Sequence, residues 1–322
     1  MLIAADGYQY NGKVINRLDN IAKLAEAIPS IETVAVVGYI NPKPDISQIT
    51  SAVLFEQTLT CDPLAQFVPV SFNDPLYILY SSGTTGAPKC IVHSVGGTLM
   101  KHICELRLHS NVKSGDNVFY FTTCGWMMWN WLVSALLCRA TVIVYEGSPF
   151  YPEPERLWQI AESEKFTLFG TSAKYIDAVR KAGLIPCEKF DLSELRTLCS
   201  TGSPLSAEGF QFVYEAIHPN LQLASISGGT DIVGCFVLGC PVLPVYAGEI
   251  QVRGLGMDVA ILNEDGQKIS CKQGELCCLS PFVSMPVGFW NDDDGRKYKA
   301  AYFAHFKDCL LYTSPSPRDP NR

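Results

Sequence analysis

Residues Ser81–Lys89 read "SSGTTGAPK" and directly follow the apolar run "PLYILY". The chemistry these residue types could do is capture of an anion. Gly83 and Gly86 carry no Cβ, so the backbone there can approach phosphate oxygens closely. Successive N–H groups in such a loop can form an anion-binding nest. Ser81, Ser82, Thr84 and Thr85 add hydroxyl donors, and Lys89 adds a cation. A glycine-rich chain reversal with no ligand is the competing reading, because glycine and proline punctuate turns. The loop is neither a Walker A motif, which ends in Gly-Lys-[Ser/Thr], nor a Gly-x-Gly-x-x-Gly fingerprint. A second unusual stretch is "CGWMMWNW", Cys124–Trp131, which reads first as an aromatic-rich core helix around Trp129 and Trp131.

The elements that must position these residues follow from periodicity. The spacing predicts a helix over 14–28 and a strand at "TVAVVGY", then a loose segment over about 41–74. From "LYILY" onward, short apolar strands alternate with amphipathic helices. The strands include "NVFYFTT", "FTLFG", "LRTLCS" and "LQLASI"; a helix is expected near Gly97 and others at "WNWLVSALLC" and "AKYIDAVRKAG". Such alternation predicts a mostly parallel sheet covered by helices on both faces, with ligands beyond the carboxyl ends of its strands. After Gly228, "EIQVRG", "MDVAILNEDGQKI" and "GELCCLS" read as antiparallel strands joined by glycine turns.

The chain has 322 residues, 48% of them hydrophobic and 18% charged, which is enough apolar material for a sizeable core. A formal net charge of −7 offers no basic stripe for nucleic acid. The 13 cysteines form no Cys-x-x-Cys pair, so they read as mostly buried free thiols in a reducing, cytoplasmic compartment. The most membrane-like stretch, Trp126–Tyr145, is interrupted by Asn130, Ser134, Arg139 and Thr141 and reads as a buried helix and strand. Glu105 with Arg107, and Lys297 with Lys299, read as solvated surface; His93, His102, His109 and His218 read as structural.

"SSGTTGAPK" resembles the phosphate-binding loop of the adenylate-forming superfamily, which includes acyl-CoA synthetases, luciferases and peptide-synthetase adenylation domains. Further stretches agree in the order that family requires. "STGSPLS" resembles the segment that packs against adenine, implying contacts from Gly202, Ser203 and Pro204. "SISGGTDI" resembles the motif whose threonine meets the α-phosphate and whose acid helps hold magnesium. Those roles fall on Thr230 and Asp231, with Gly229 beside them in the nucleotide site. Many family members have Glu where this chain has Asp231.

The resemblance also implies an acyl pocket formed by Trp126, Met127, Met128, Thr201 and Gly228. In acetate-specific relatives a tryptophan caps the pocket at the position of Gly228. Its replacement by hydrogen is therefore expected to open room for a longer acid, with acetoacetate implied by the full pattern. The implied chemistry joins ATP, Mg2+ and coenzyme A: the acid is activated as an acyl adenylate and then passed to the thiol, with Lys89, Thr230 and Asp231 as catalytic residues. The partners expected are small molecules, with no nucleic acid and no membrane insertion; the oligomeric state is left open.

The resemblance implies three segments, 1–74 as a remnant of the first α/β subdomain, 75–231 as the nucleotide- and acyl-binding α/β subdomain and 232–310 as a β-rich subdomain; 311–322, rich in Pro, Ser and Arg with no apolar period, reads as a disordered tail of native or non-native origin. The small C-terminal lid domain of the family is expected to be absent, leaving weak or no activity in this chain alone. Two alternatives stay open: an ATP-binding form without catalysis, and a ligase for another short-chain acid.

Overall fold

The computed structural model describes residues 1–60, 62, 64, 66–81, 88–304, 306 and 311–312. They divide into two compact units, one of Met1–Pro69 with Tyr145–Leu157, the other of Val70–Val144 with the chain from Trp158 onward. This division differs from the one expected. The segments 75–231 and 232–310 fall in one unit because Val233, Cys235 and Leu238 share a buried core with Leu168, Cys199 and Ala224.

In the first unit, strands β1 (Leu2–Ala5), β4 (Val34–Val37) and β5 (Ala52–Leu54) form a parallel sheet. Between β1 and β4 come a hairpin, β2 (Gly7–Tyr10) with β3 (Lys13–Asn16), and helix α1 (Leu18–Ala27). The helix expected from residue 14 thus begins four residues later. Asn11 and Gly12 both take left-handed backbone (φ 49° and 73°), the conformation an Asn-Gly hairpin turn requires, and the turn diverts Val14 into a strand. Strand β5 lies inside the segment expected to be loose; three residues are too few to show a period. Ile21, Val34, Val36 and Ile49 form this unit's core.

The second unit opens with β6 (Pro75–Ser81) and β7 (Lys89–Ser94), which pair antiparallel with Ser81 opposite Lys89. The glycine loop was expected at the end of a parallel strand; instead its two ends are held side by side in a hairpin, with Gly288–Phe289 on the other edge of β7. Helix α2 (Val95–Cys104) follows, its first turn capped by Ser94 Oγ, which accepts from Gly97 N at 3.2 Å.

Next come β8 (Asn117–Tyr120), α3 (Met128–Val133), β9 (Thr141–Ile143), α4 (Arg156–Ser163), β10 (Leu168–Ser172), α5 (Ala173–Lys181), α6 (Pro186–Lys189), β11 (Thr197–Thr201), α7 (Ala207–Phe212) and β12 (Gln222–Ser225). The five strands form a wholly parallel sheet in the order β12-β11-β10-β8-β9. Both faces are buried, so successive residues of β8 serve two cores. Phe119 stacks on Phe166 at 4.6 Å on one face, whereas Tyr120 packs against Trp131 and Trp126 on the other.

The remaining strands are antiparallel: β13 (Ser227–Gly229), β14 (Gly234–Leu238) and β15 (Val252–Arg253) in one sheet, and β16 (Val259–Leu262), β17 (Lys268–Ile269) and β18 (Glu275–Cys278) in another. Strand β19 (Gly288–Phe289) joins β7, and helix α8 (Arg296–Phe303) follows. Strand β20 (Leu311–Tyr312) pairs with Cys277–Cys278, although both its residues fall in the tail expected to lack structure. The architecture is α/β, a helix-covered parallel sheet with an antiparallel β portion, as the sequence predicted. No helix among the described residues is long and apolar enough to cross a membrane.

Candidate active site

A cleft of about 330 Å³ opens beyond the carboxyl ends of the parallel sheet. Trp126, Met127 and Met128 reach it from the segment after β8, Thr201–Pro204 from the turn after β11, and Ser225–Thr230 from the run through β12 and β13. All five residues expected to form the acyl pocket line this one cleft, together with Gly202, Ser203, Pro204, Gly229 and Thr230 of the expected nucleotide site. Met127 and Met128 are buried, whereas Trp126 is partly open and Trp131 turns into the core. Gly202 has φ +84° and open space where a Cβ would stand. The left-handed turn is one that glycine adopts without strain, and Ser203 and Pro204 follow it in the cleft lining.

Lys89 and Asp231 form an ion pair although 142 residues separate them. Each side chain is about one-quarter exposed. Asp231 Oδ1 also accepts the Tyr302 hydroxyl at 2.6 Å, and the Lys89 ammonium lies 5.1 Å from the centre of the Tyr302 ring. Burial, and then the neighbouring carboxylate, push the Tyr302 phenol far above its ordinary range, so it remains a donor. Ser81, the last residue of β6, has a buried Oγ with no hydrogen-bond partner among the described residues. Ser82, Gly83, Thr84, Thr85 and Gly86 lie outside the described residues.

A buried polar layer holds the backbone around Asp231. His93 Nε2–H donates to the Thr230 carbonyl at 2.8 Å, and His102 Nε2–H to the Val233 carbonyl at 2.6 Å. Lys101 and Glu105 sit one helical turn apart, 3.1 Å between Nζ and Oε1, both almost fully buried. Lys101 donates to the Cys235 carbonyl, and Glu105 accepts from the Cys235 N–H and from Trp131 Nε1. Glu105 is therefore not the solvated surface residue expected, although Arg107 is exposed. Burial pushes the His93 imidazole down to about 4 and lowers His102 as well. His109 contacts the Gly239 carbonyl and the Leu255 N–H, in keeping with the structural reading of these rings.

Gly228 sits where two strands approach closely. A Cβ there would stand 1.9 Å from the Gly234 carbonyl oxygen and 2.5 Å from Cys235 Cα, so it points at the backbone of β14. The ladder slips between Ser227 and Gly228, and this bulge turns the residue toward its partner strand. Gly228 lines the cleft with its main chain and is needed for close strand approach. Among the described cysteines, Cys138, Cys199, Cys235, Cys277 and Cys278 are buried and Cys90, Cys104 and Cys240 half-buried, while Cys124, Cys187 and Cys271 are exposed.

Sequence reasoning missed Tyr302, His93, His102, Lys101 and Glu105 as parts of the site. Only the four-residue spacing of Lys101 and Glu105 on an expected helix could have signalled a pair.

Residues 3–286 match the model of the family described as AMP-binding enzyme. The chain is 52% identical to the acetoacetyl-coenzyme A synthetase of Rhizobium meliloti over 317 residues, covering 97% of this chain and 48% of that protein. It is 43% identical to the acetoacetyl-CoA synthetase of Gallus gallus over 313 residues, 95% of this chain and 47% of the relative. The solved acetoacetyl-CoA synthetase from Streptomyces lividans superimposes with a TM-score of 0.90 at 41% identity, over 96% of this chain and 48% of that one. The chain thus spans about half the length of the relatives it matches.

Proposed function

Because the chain belongs to the family of AMP-binding enzymes, we propose that its cleft activates acetoacetate with ATP for transfer to coenzyme A. The observation that carries this reading is the convergence on one cleft of the Trp126–Met128 wall, the Gly202–Pro204 turn and Thr230, with the Lys89–Asp231 pair adjoining. The names of the relatives support acetoacetate as the acid.

A carboxylate forms no thioester unaided, because its leaving group is poor. In the proposed sequence a carboxylate oxygen attacks the α-phosphorus of ATP and pyrophosphate leaves. The thiol of coenzyme A then attacks the acyl carbon, and AMP leaves. The first step brings an anion to a polyanion, so alignment and charge neutralisation dominate its barrier. Lys89 supplies a mobile ammonium for the β- and γ-phosphates, and Thr230 orients the α-phosphate. Trp126, Met127 and Met128 form an apolar wall for the short acid. The first step requires no general base, since the carboxylate is already a nucleophile; in the second the thiol gives up its proton to water or to the departing AMP as the thioester forms.

The donor set fits magnesium delivered with the nucleotide. No group of three or more His, Cys, Asp or Glu converges among the described residues, but Mg2+ is commonly held by one or two carboxylates plus substrate phosphates. Asp231 would hold it, and the ion would supply charge neutralisation at the phosphates. The reading places the protein in the cytosol, where its exposed thiols stay reduced.

Acetoacetate-dependent exchange of pyrophosphate into ATP tests the proposal. Weak exchange is expected with acetoacetate, and less with acetate. Lys89→Ala should reduce the rate on the order of a hundredfold, the loss typical of one transition-state donor. ATP binding without exchange under any short acid would sink the catalytic reading, and a wild-type rate in Lys89→Ala would remove that residue from the site.

A further inference from the structure

Lys89 and Asp231 are each other's partner, so neither can serve a ligand fully until their pair opens. The two side chains differ in how they would part. Lys89 is long, with three donors on a rotatable ammonium, and its contact with the Tyr302 ring is non-directional. Asp231 is short and stands in the bend after Thr230. Both its close partners, Lys89 and Tyr302, take the same oxygen, Oδ1; Oδ2 accepts no hydrogen bond from the described residues. Tyr302 itself is only 2% exposed. Its ring is pinned edge-on by Tyr298 at 5.1 Å and Phe289 at 5.5 Å, in the core shared by α8 and β19. Its hydroxyl is therefore a fixed point, anchored independently of the pair it touches.

We propose that Tyr302 is a positioning residue of this site: its hydroxyl keeps Asp231 in place when a phosphate draws Lys89 away, so the carboxylate stays oriented toward a divalent cation carried by that phosphate. This rests on the nucleotide reading above. The ring gives the departing ammonium a surface to slide over, while the hydroxyl leaves Oδ2 facing the site. The result is a pair that opens from one side only.

Titration calorimetry of Mg·ATP and of metal-free AMP, on the unmodified chain, on Tyr302→Phe and Asp231→Asn and on their double variant, separates the possibilities. Tyr302→Phe keeps the ring and removes the hydroxyl. It is expected to weaken Mg·ATP about tenfold, the low end for a hydrogen bond to a charged group, and AMP by less than about threefold. In the Asp231→Asn background the same change should no longer matter, because no carboxylate remains to be oriented. Unchanged Mg·ATP binding in Tyr302→Phe overturns the proposal. So does an equal loss of both ligands together with a lowered Tm, which marks a structural role, or an effect that persists in the double variant. If the unmodified chain binds neither nucleotide, the nucleotide reading fails and takes the proposal with it. A measurement on the unmodified chain guards against a folding defect: Mn·ATP should broaden the Tyr302 ring resonance in a tyrosine-labelled sample, and an unbroadened signal overturns the proposal.

Discussion

At the residue scale, Gly228 is held where its backbone meets the partner strand. Its missing side chain would not enter the cleft but would strike the Gly234 carbonyl. Gly228→Ala should therefore destabilise the protein by about 1–3 kcal/mol, the usual cost of overpacking, read as a lower urea midpoint. Gly228→Trp should lose stability without gaining a preference for acetate in the exchange assay. A folded Gly228→Trp variant that favours acetate would support the pocket-cap reading instead. The direction of a side chain depends on a bulge between Ser227 and Gly228, and nothing in "SISGGTDI" announces a bulge. Lys89 stood out from its glycine and hydroxyl loop, and Thr230 and Asp231 from the resemblance of "SISGGTDI"; the fold brings Lys89 and Asp231 together. Tyr302 was not legible, because its role arises from one contact 71 residues away along the chain.

At the element scale, helix α2 and the turn after it fasten strand β14 through charge. Lys101 and Glu105 satisfy both backbone groups of Cys235 while neutralising each other. Removing one member strands the other in a buried setting, so Glu105→Ala should cost about 3–5 kcal/mol. Replacing both by apolar residues of similar size, as in Lys101→Met with Glu105→Leu, should cost distinctly less than that single change. Denaturant unfolding of the three proteins checks this, and a double variant worse than Glu105→Ala would show that the Cys235 hydrogen bonds outweigh the charges. The alternation of strands and helices made the parallel sheet readable in advance, because a doubly covered sheet must be apolar throughout. Hairpins were harder. Pairing of β6 with β7 joins neighbouring strands, but their apolar runs do not say whether a strand pairs with its neighbour or enters the parallel sheet, and β2 with β3 was signalled only by Asn11-Gly12.

At the scale of the whole molecule, the buried histidines link the candidate site to acid stability. His93 is held down from 6.5 to about 4, chiefly by burial, and His102 is lowered for the same reason. Between those values the unfolded chain binds protons that the native imidazoles refuse, so stability must fall as pH drops below about 6.5. For His93 the loss approaches about 3 kcal/mol near pH 4. Urea midpoints between pH 7.5 and pH 5, above the range where most carboxylates titrate, should decline, and His93→Gln should flatten the slope. A midpoint constant across that window would mean the rings already carry protons when folded. The Lys89–Asp231 pair has a consequence of another kind. A Lys89–Asp231 pair whose charges already cancel, on a chain of net charge −7, adds no long-range pull of its own on a polyphosphate. Capture then begins with chance encounter, and selectivity among anions arises only at contact, when the visitor must offer Lys89 a better partner than the one it leaves.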